Sequence, residues 1–132
     1  MESLNLIHDE KIHRRARHVI SENIRVKHAA MSLRVGDLHT FGRLMTASHQ
    51  SMKDDYEITG IEMDTLAETA QNINGCLGAR MTGGGFGGCA IALVKKSRIA
   101  PFTEILSKRY NTVTGLNCEI YPCEANDGVR RL

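Results

Sequence analysis

The pattern of apolar and polar positions changes once along the chain. Up to about residue 75 it repeats at helical steps. From Glu10 to Val35, the residues Ile12, Ala16, Val19, Ile20, Ile24, Ala30 and Leu33 recur every three or four positions. That spacing predicts one long helix with a single apolar stripe. Asp9 is placed to cap its start, Gly36 to end it in the left-handed conformation, and Asp37 to cap the next helix. In that second helix Leu38, Phe41, Leu44, Met45, Ser48 and Met52 share a face. An acidic break, Asp54-Asp55-Tyr56-Glu57, follows. Thr59-Gly60-Ile61-Glu62 reads as a capping box that starts a third helix. Met63, Leu66, Ala67, Ala70 and Ile73 form its buried face, and Asn74-Gly75 closes it.

Beyond residue 75 the period shortens. Cys76 to Met81 reads as a strand, Thr82 to Gly88 as a glycine-rich turn, and Cys89 to Val94 as a second strand. The second strand is apolar throughout, which predicts burial. Lys95 to Arg98 is a turn. Pro101 sits near the start of a fourth helix, where its missing amide costs nothing. Phe102, Ile105, Leu106 and Tyr110 are its inward face. Leu116, Cys118 and Ile120 alternate as a last strand that Pro122 ends. The order α-α-α-β-β-α-β is an α+β pattern of two layers. It predicts one domain over 1–132: helical to 75, then hairpin, helix and strand over 76–122, then a tail over 123–132.

Composition narrows the function classes. At 132 residues the chain is long enough for a core of its own. Its 17 basic and 15 acidic residues leave a net charge of +2, too even to argue for a nucleic-acid partner. No apolar run approaches the ~18 residues of a membrane helix, so no membrane is expected. The opening MESLNLIHDEKIHRR has early acids and no apolar core, so no signal peptide is expected. Cys76, Cys89, Cys118 and Cys123 are not spaced as zinc pairs or as Cys-x-x-Cys. Reduced thiols in the cytoplasm are the expectation.

Candidate chemistry concentrates in Thr82-Gly83-Gly84-Gly85-Phe86-Gly87-Gly88, where five of seven residues are glycine. So many glycines weaken folding through backbone entropy, and a tight turn alone does not account for them. Consecutive amides without side chains can line one concavity and bind phosphate or another anion. Thr82 would add a hydroxyl at the rim, with Gly88 and Arg80 just outside. Gly83, Gly85 and Gly88 satisfy G-x-G-x-x-G, but the dinucleotide fingerprint needs a helix next, and Cys89 to Val94 reads as a strand. A Walker loop would end in Gly-Lys-Ser/Thr, which is absent here. A glycine-rich hairpin without a ligand is the plain alternative.

The run Gly78-Ala79-Arg80-Met81-Thr82-Gly83-Gly84-Gly85-Phe86-Gly87-Gly88-Cys89-Ala90 resembles the third motif of the GHMP small-molecule kinases, in its galactokinase form. Arg14 to Val19, Gly36-Asp37-Leu38, Phe41 to Met45, Ser48-His49, Asp54 to Glu57 and the ending Asp127 to Leu132 resemble the same family, in the same order. The resemblance implies a ferredoxin-like C-terminal domain, with an antiparallel sheet covered by helices. It also implies ATP-dependent phosphorylation of galactose at its anomeric hydroxyl, with Mg2+. The site residues it carries over are Thr82, Gly83, Gly84, Gly85, Phe86 and Gly87, as a loop that closes the active site, with Arg80 and Gly88 beside it. The family's serine-rich nucleotide loop, galactose motif and catalytic Asp segment have no counterpart in these residues. The resemblance therefore places ATP, Mg2+ and galactose mainly on an N-terminal domain, and implies no catalytic residue here and an inactive isolated chain. It also implies an open sheet edge and apolar face through which the fragment would self-associate. The alternatives are a non-catalytic binding or regulatory module, and half of a kinase for a related sugar such as N-acetylgalactosamine.

Other clusters have simpler readings. Lys11 to His18 reads as a solvated basic helix face, because no aromatics are interleaved for base stacking. His8, His13 and His18 lie five apart, which spreads them around a helix and argues against a metal site. Ser48-His49 is expected to pack or cap, and Asp54-Asp55 to shape a turn. Arg80 has two readings: aimed at phosphate, or paired with a neighbouring acid.

Overall fold

The computed structural model describes Leu4 and residues 6–125. Four α-helices and one hairpin follow in order: α1 (Glu10–Arg34), α2 (Leu38–Ser51), a π-helical turn (Met52–Tyr56), α3 (Ile61–Gln71), β1 (Cys76–Thr82), β2 (Cys89–Val94), a short 3-10 turn (Lys96–Arg98) and α4 (Ile99–Thr114). The expected α+β architecture, an antiparallel sheet covered by helices, is present. β1 and β2 pair antiparallel, with Thr82 opposite Cys89 and Cys76 opposite Val94.

The helix ends follow their local chemistry. The Asp9 carboxylate accepts the Ile12 amide at 2.9 Å, and Asp37 accepts that of Thr40 at 2.9 Å. Gly36, at φ +73°, turns the chain between them. Gly115, at φ +71°, ends α4. The capping box before α3 does not form. Gly60 is the N-cap and no side-chain bond caps the helix. Thr59 is buried instead.

The core has two parts that meet on β1. Ala70 and Ile73, Ala79 of β1, and Phe102 and Leu106 of α4 form one cluster. Met52, Met63 and Met81 form the other. Each large side chain buried this way stabilises the fold by about 1.5–3 kcal/mol. α2 lies directly on β1, main chain to main chain. A Cβ on Gly42 would stand 2.0 Å from the Leu77 carbonyl oxygen, and one on Gly78 would stand 2.0 Å from that of Gly42. Only glycine allows this approach.

Besides the capping box, four expectations fail here, and three fail for one reason: surface read as core is open. The apolar stripe of α1 docks only in part; Ala16 and Ile20 are half-buried, but Ile12, Val19, Ile24 and Leu33 are exposed. β2 is largely exposed rather than buried, with Ile91 at 49%. Ile105 of α4 is exposed too, while Phe102, Leu106 and Tyr110 are buried as expected. The fourth failure is the last strand. Residues 116–120 are irregular. Their alternation survives only as a packing contact, Ile120 against the α4 cluster; without ladder bonds to a neighbour an alternating segment is not a strand. No described helix is long and apolar enough to cross a membrane.

Candidate functional site

The glycine loop leaves the sheet at Thr82 and re-enters it at Cys89. Gly83, Gly85, Gly87 and Gly88 all have positive φ, and so does Phe86, at +55°. A non-glycine residue there is uncommon and carries strain that its surroundings must hold. What holds it is Ile58. The Phe86 amide donates to the Ile58 carbonyl at 2.9 Å. Gly85 lies on the same carbonyl; a Cβ would come within 2.1 Å of the oxygen. The Phe86 side chain itself is 80% exposed. Around Gly83, Gly84, Gly87 and Gly88 an added Cβ would meet nothing within 4 Å.

Ile58 is fixed in turn by the π-helical turn before it. The Ile58 amide donates to the Met52 carbonyl at 3.2 Å. Glu57 between them takes the left-handed conformation, φ +58°. Arginines of α1 grip this turn. Arg15 donates to the Asp55 carbonyl at 2.5 Å and the Glu57 carboxylate at 2.6 Å, Arg14 pairs with Glu57 at 3.1 Å, and Arg17 bonds the Asp55 carboxylate through Nε at 3.0 Å. The bond from Arg15 holds the Glu57 carboxyl below its ordinary range. Burial works against ionising Asp55, but its bonds to Arg17 and Ser51 still keep it below the usual value. The basic run is thus a clamp rather than a solvated face. His18 joins it, bonded to Ser51 at 2.9 Å and tilted against the Tyr56 ring. The acidic break shapes a turn, as expected.

Arg80 takes the second of its two readings. Its Nη1 lies 3.6 Å from Glu22 and its Nε donates to the Met81 carbonyl at 3.0 Å. Ser48 donates to the same Glu22 at 2.6 Å. His49 beside it is 1% exposed. Burial pushes its imidazole below the ordinary value, with Asp64 and Glu68 pulling the other way. The Ser48-His49 pair packs, then, but His49 also bonds the main chain: its Nδ1 faces the Met81 amide at 3.3 Å. Adjacency in sequence gave no sign of that bond, because the partner is 32 residues away.

Concavities lie elsewhere. One of about 370 Å3 lies between α1 and α2, lined by Ile20, Ile24 and Leu44; another of about 460 Å3 lies between α3 and α4. The loop has only one wall. The one trio of acids and imidazole close enough for a metal among the described residues is His49, Asp64 and Glu68. The Lys53 ammonium already bonds Glu68 and lies 3.5 Å from Asp64. The expected Mg2+ finds no fitting ligand set here.

Known proteins resemble the chain throughout this region. Galactokinase from Staphylococcus carnosus (strain TM300) is 54% identical over 125 residues, 95% of this chain and 32% of that protein. Galactokinase from Streptococcus thermophilus is 53% identical over 127 residues, 96% of this chain and 33% of its own length. The crystal structure of Lactococcus lactis galactokinase complexed with galactose matches with a TM-score of 0.84 at 53% identity, over 86% of this chain and 29% of that one. The chain spans about a third of the length of these curated relatives. The family model described as GHMP kinases C terminal matches residues 28–112. The chain therefore belongs to the C-terminal family of the GHMP kinases.

Proposed function

We propose that this chain is the C-terminal part of an ATP-dependent galactokinase, which converts galactose and ATP to galactose 1-phosphate and ADP. The observation that carries this is the open side of the glycine loop. Gly83, Gly84, Gly87 and Gly88 have nothing of this chain within 4 Å of an added Cβ. Crowding inside the chain does not require glycine there. Positive φ accounts for Gly83, Gly87 and Gly88; at Gly84 a close approach from outside is the remaining reason, and amides stripped of side chains suit a phosphate. The galactokinase names of the relatives supply the substrate.

In this reading the chain contributes one wall. Amides of Thr82 to Gly87 meet the nucleotide phosphates, the Thr82 hydroxyl adds a donor at the rim, and the exposed Phe86 ring covers the site against water. Arg80 and Gly88 support the loop from behind. Phosphoryl transfer needs positioned cationic charge around the transferred group. Mg2+ supplies such charge when bound, and its ligands come from the two-thirds of the relatives that this chain does not span. That portion also supplies the catalytic residues and the galactose site, and it covers the open α1 stripe and the β2 face. The 132-residue chain alone is inactive and self-associates through those surfaces at high concentration. The protein works in the cytoplasm, with its four thiols reduced.

The test is a chimera. This chain replaces the matching third of the Staphylococcus carnosus galactokinase, and galactose-dependent ADP release is measured for the chimera and for the chain alone. Turnover in the chimera with silence from the chain is expected. A folded chimera that binds ATP and galactose but releases no ADP sinks the galactokinase reading. ADP release by the chain alone sinks the single-wall reading.

A further inference from the structure

In an antiparallel pair, every second residue turns its main-chain groups away from the partner strand. On β1 several such groups are met by side chains. The Ala79 carbonyl accepts from Gln71 Nε2 of α3 at 2.8 Å, and the Met81 carbonyl accepts from Arg80 Nε. The Met81 amide meets His49 Nδ1 of α2 at 3.3 Å. Met81 is fully buried and is the residue before Thr82, where the glycine loop begins.

His49 is joined on its other side as well. Its Nε2 lies 3.3 Å from Asp64 Oδ1 on α3. The second oxygen of Asp64 faces Lys53, which bonds Glu68. A neutral imidazole carries one proton. Nδ1 faces an N–H donor and must accept, so the proton sits on Nε2, which is 3.3 Å from Asp64 Oδ1 but not aligned with it as a hydrogen bond. A carboxylate this close favours the Nε2–H tautomer electrostatically.

We propose that His49 is a positioning residue for the glycine loop: its Nδ1 accepts and pins the Met81 amide and so sets the direction in which Thr82 to Gly88 leave the sheet. Its consequence for catalysis rests on the function proposed above. Its hold on the loop does not.

A buried imidazole could instead be filler, and two substitutions separate the cases. In His49→Asn the side-chain oxygen falls near the place of Nδ1 and can accept the Met81 amide. In His49→Gln the side-chain amide falls near the place of Nε2, which reaches Asp64 and leaves Met81 without an acceptor. Filling space alone ranks Gln, the larger, at or above Asn. Positioning ranks Asn first.

The experiment is nitrogen-15 NMR on the 132-residue chain. The unaltered protein is expected to show a single Nε2–H tautomer at His49. His49→Asn is expected to keep the Gly83 to Gly88 amide shifts. His49→Gln is expected to move them and to speed Met81 amide exchange about five- to tenfold, the factor one lost hydrogen bond carries. An Nδ1–H tautomer overturns the proposal, and so does His49→Gln protecting Met81 as well as His49→Asn. The tautomer is read on the unaltered chain, so it decides the matter even where a variant fails to fold. In the chimera, His49→Gln is expected to lower kcat about tenfold with KM for galactose unchanged, and His49→Asn to restore most of it. A displaced loop with full turnover supports the hold of His49 and overturns the role proposed for the loop.

Discussion

Two groups of glycines divide this molecule. Gly42 and Gly78 lie where α2 crosses β1, and each is demanded by a main-chain atom of the same chain 2.0 Å from where a Cβ would stand. Gly83, Gly84, Gly87 and Gly88 lie in open space. The first group answers to folding. In the second, positive φ accounts for Gly83, Gly87 and Gly88, while Gly84 has neither crowding nor positive φ and answers to something outside the fold. Gly85 stands between the groups, with φ +80° and the Ile58 carbonyl against it. Stability and activity should therefore come apart along the chain.

The largest effect on stability is expected at the crossing. Gly78→Ala should cost about 3 kcal/mol or more, because the atom it strikes is backbone and cannot rotate away. Thermal unfolding should show a drop on the order of 10 °C. A loss within ~0.5 kcal/mol would mean that α2 can lift off β1 freely.

Gly85→Ala comes next. Left-handed backbone and the Ile58 contact should together cost about 2 kcal/mol, read by denaturant unfolding. Acid should follow. His49 and His18 both have imidazoles held below their ordinary value of 6.5, chiefly by burial. Asp64, Glu68 and Lys53 face His49; Asp55, Arg25 and Arg80 act on His18. The unfolded chain then binds more protons than the folded one just below pH 6.5, so stability falls as pH drops through that window. A melting-temperature series from pH 7.5 to 5 checks the sign, and a flat series contradicts it.

Gly84→Ala should leave stability within ~0.5 kcal/mol, yet lower turnover of the chimera about tenfold or more by obstructing whatever approaches the loop. Full activity would erase the distinction between the two groups. The smallest effect is expected from Glu57→Gly. It gives up ion pairs with Arg14 and Arg15 that are partly exposed and screened by solvent, so they contribute little. In exchange it relaxes the left-handed backbone at that position. Unfolding curves of the two proteins should nearly superimpose.

Local chemistry made much of this legible. Asp9, Gly36 and Asp37 announced the first two helices, and both strands of the hairpin lie within a residue of their sequence bounds. The glycine loop was visible by composition alone. What stayed hidden is long-range. Periodicity marks an apolar stripe on α1 but not which neighbour covers it, and among the described residues much of it stays open: α1 docks largely through Arg14, Arg15, Arg17, His18 and Glu22. Thr59-x-x-Glu62 has the letters of a capping box, but the helix starts one residue later, with Gly60 rather than Thr59 at the N-cap. His49, which bonds Met81 just before the loop, and Ile58, which bonds Phe86 within it, do so from 32 and 28 residues away. No local pattern encodes such partners.

The glycine crossing also bears on mechanics. With α2 and β1 in main-chain contact there is no layer of side chains between them to slide or repack. Helix and strand must move as one plate, with Met81 of the strand packed against Met52 and Met63. Any displacement imposed on the loop by a ligand or a neighbouring domain then cannot be absorbed by the sheet. It must be taken up in the few glycine torsions between Thr82 and Cys89, which makes those torsions the compliant joint of an otherwise stiff part.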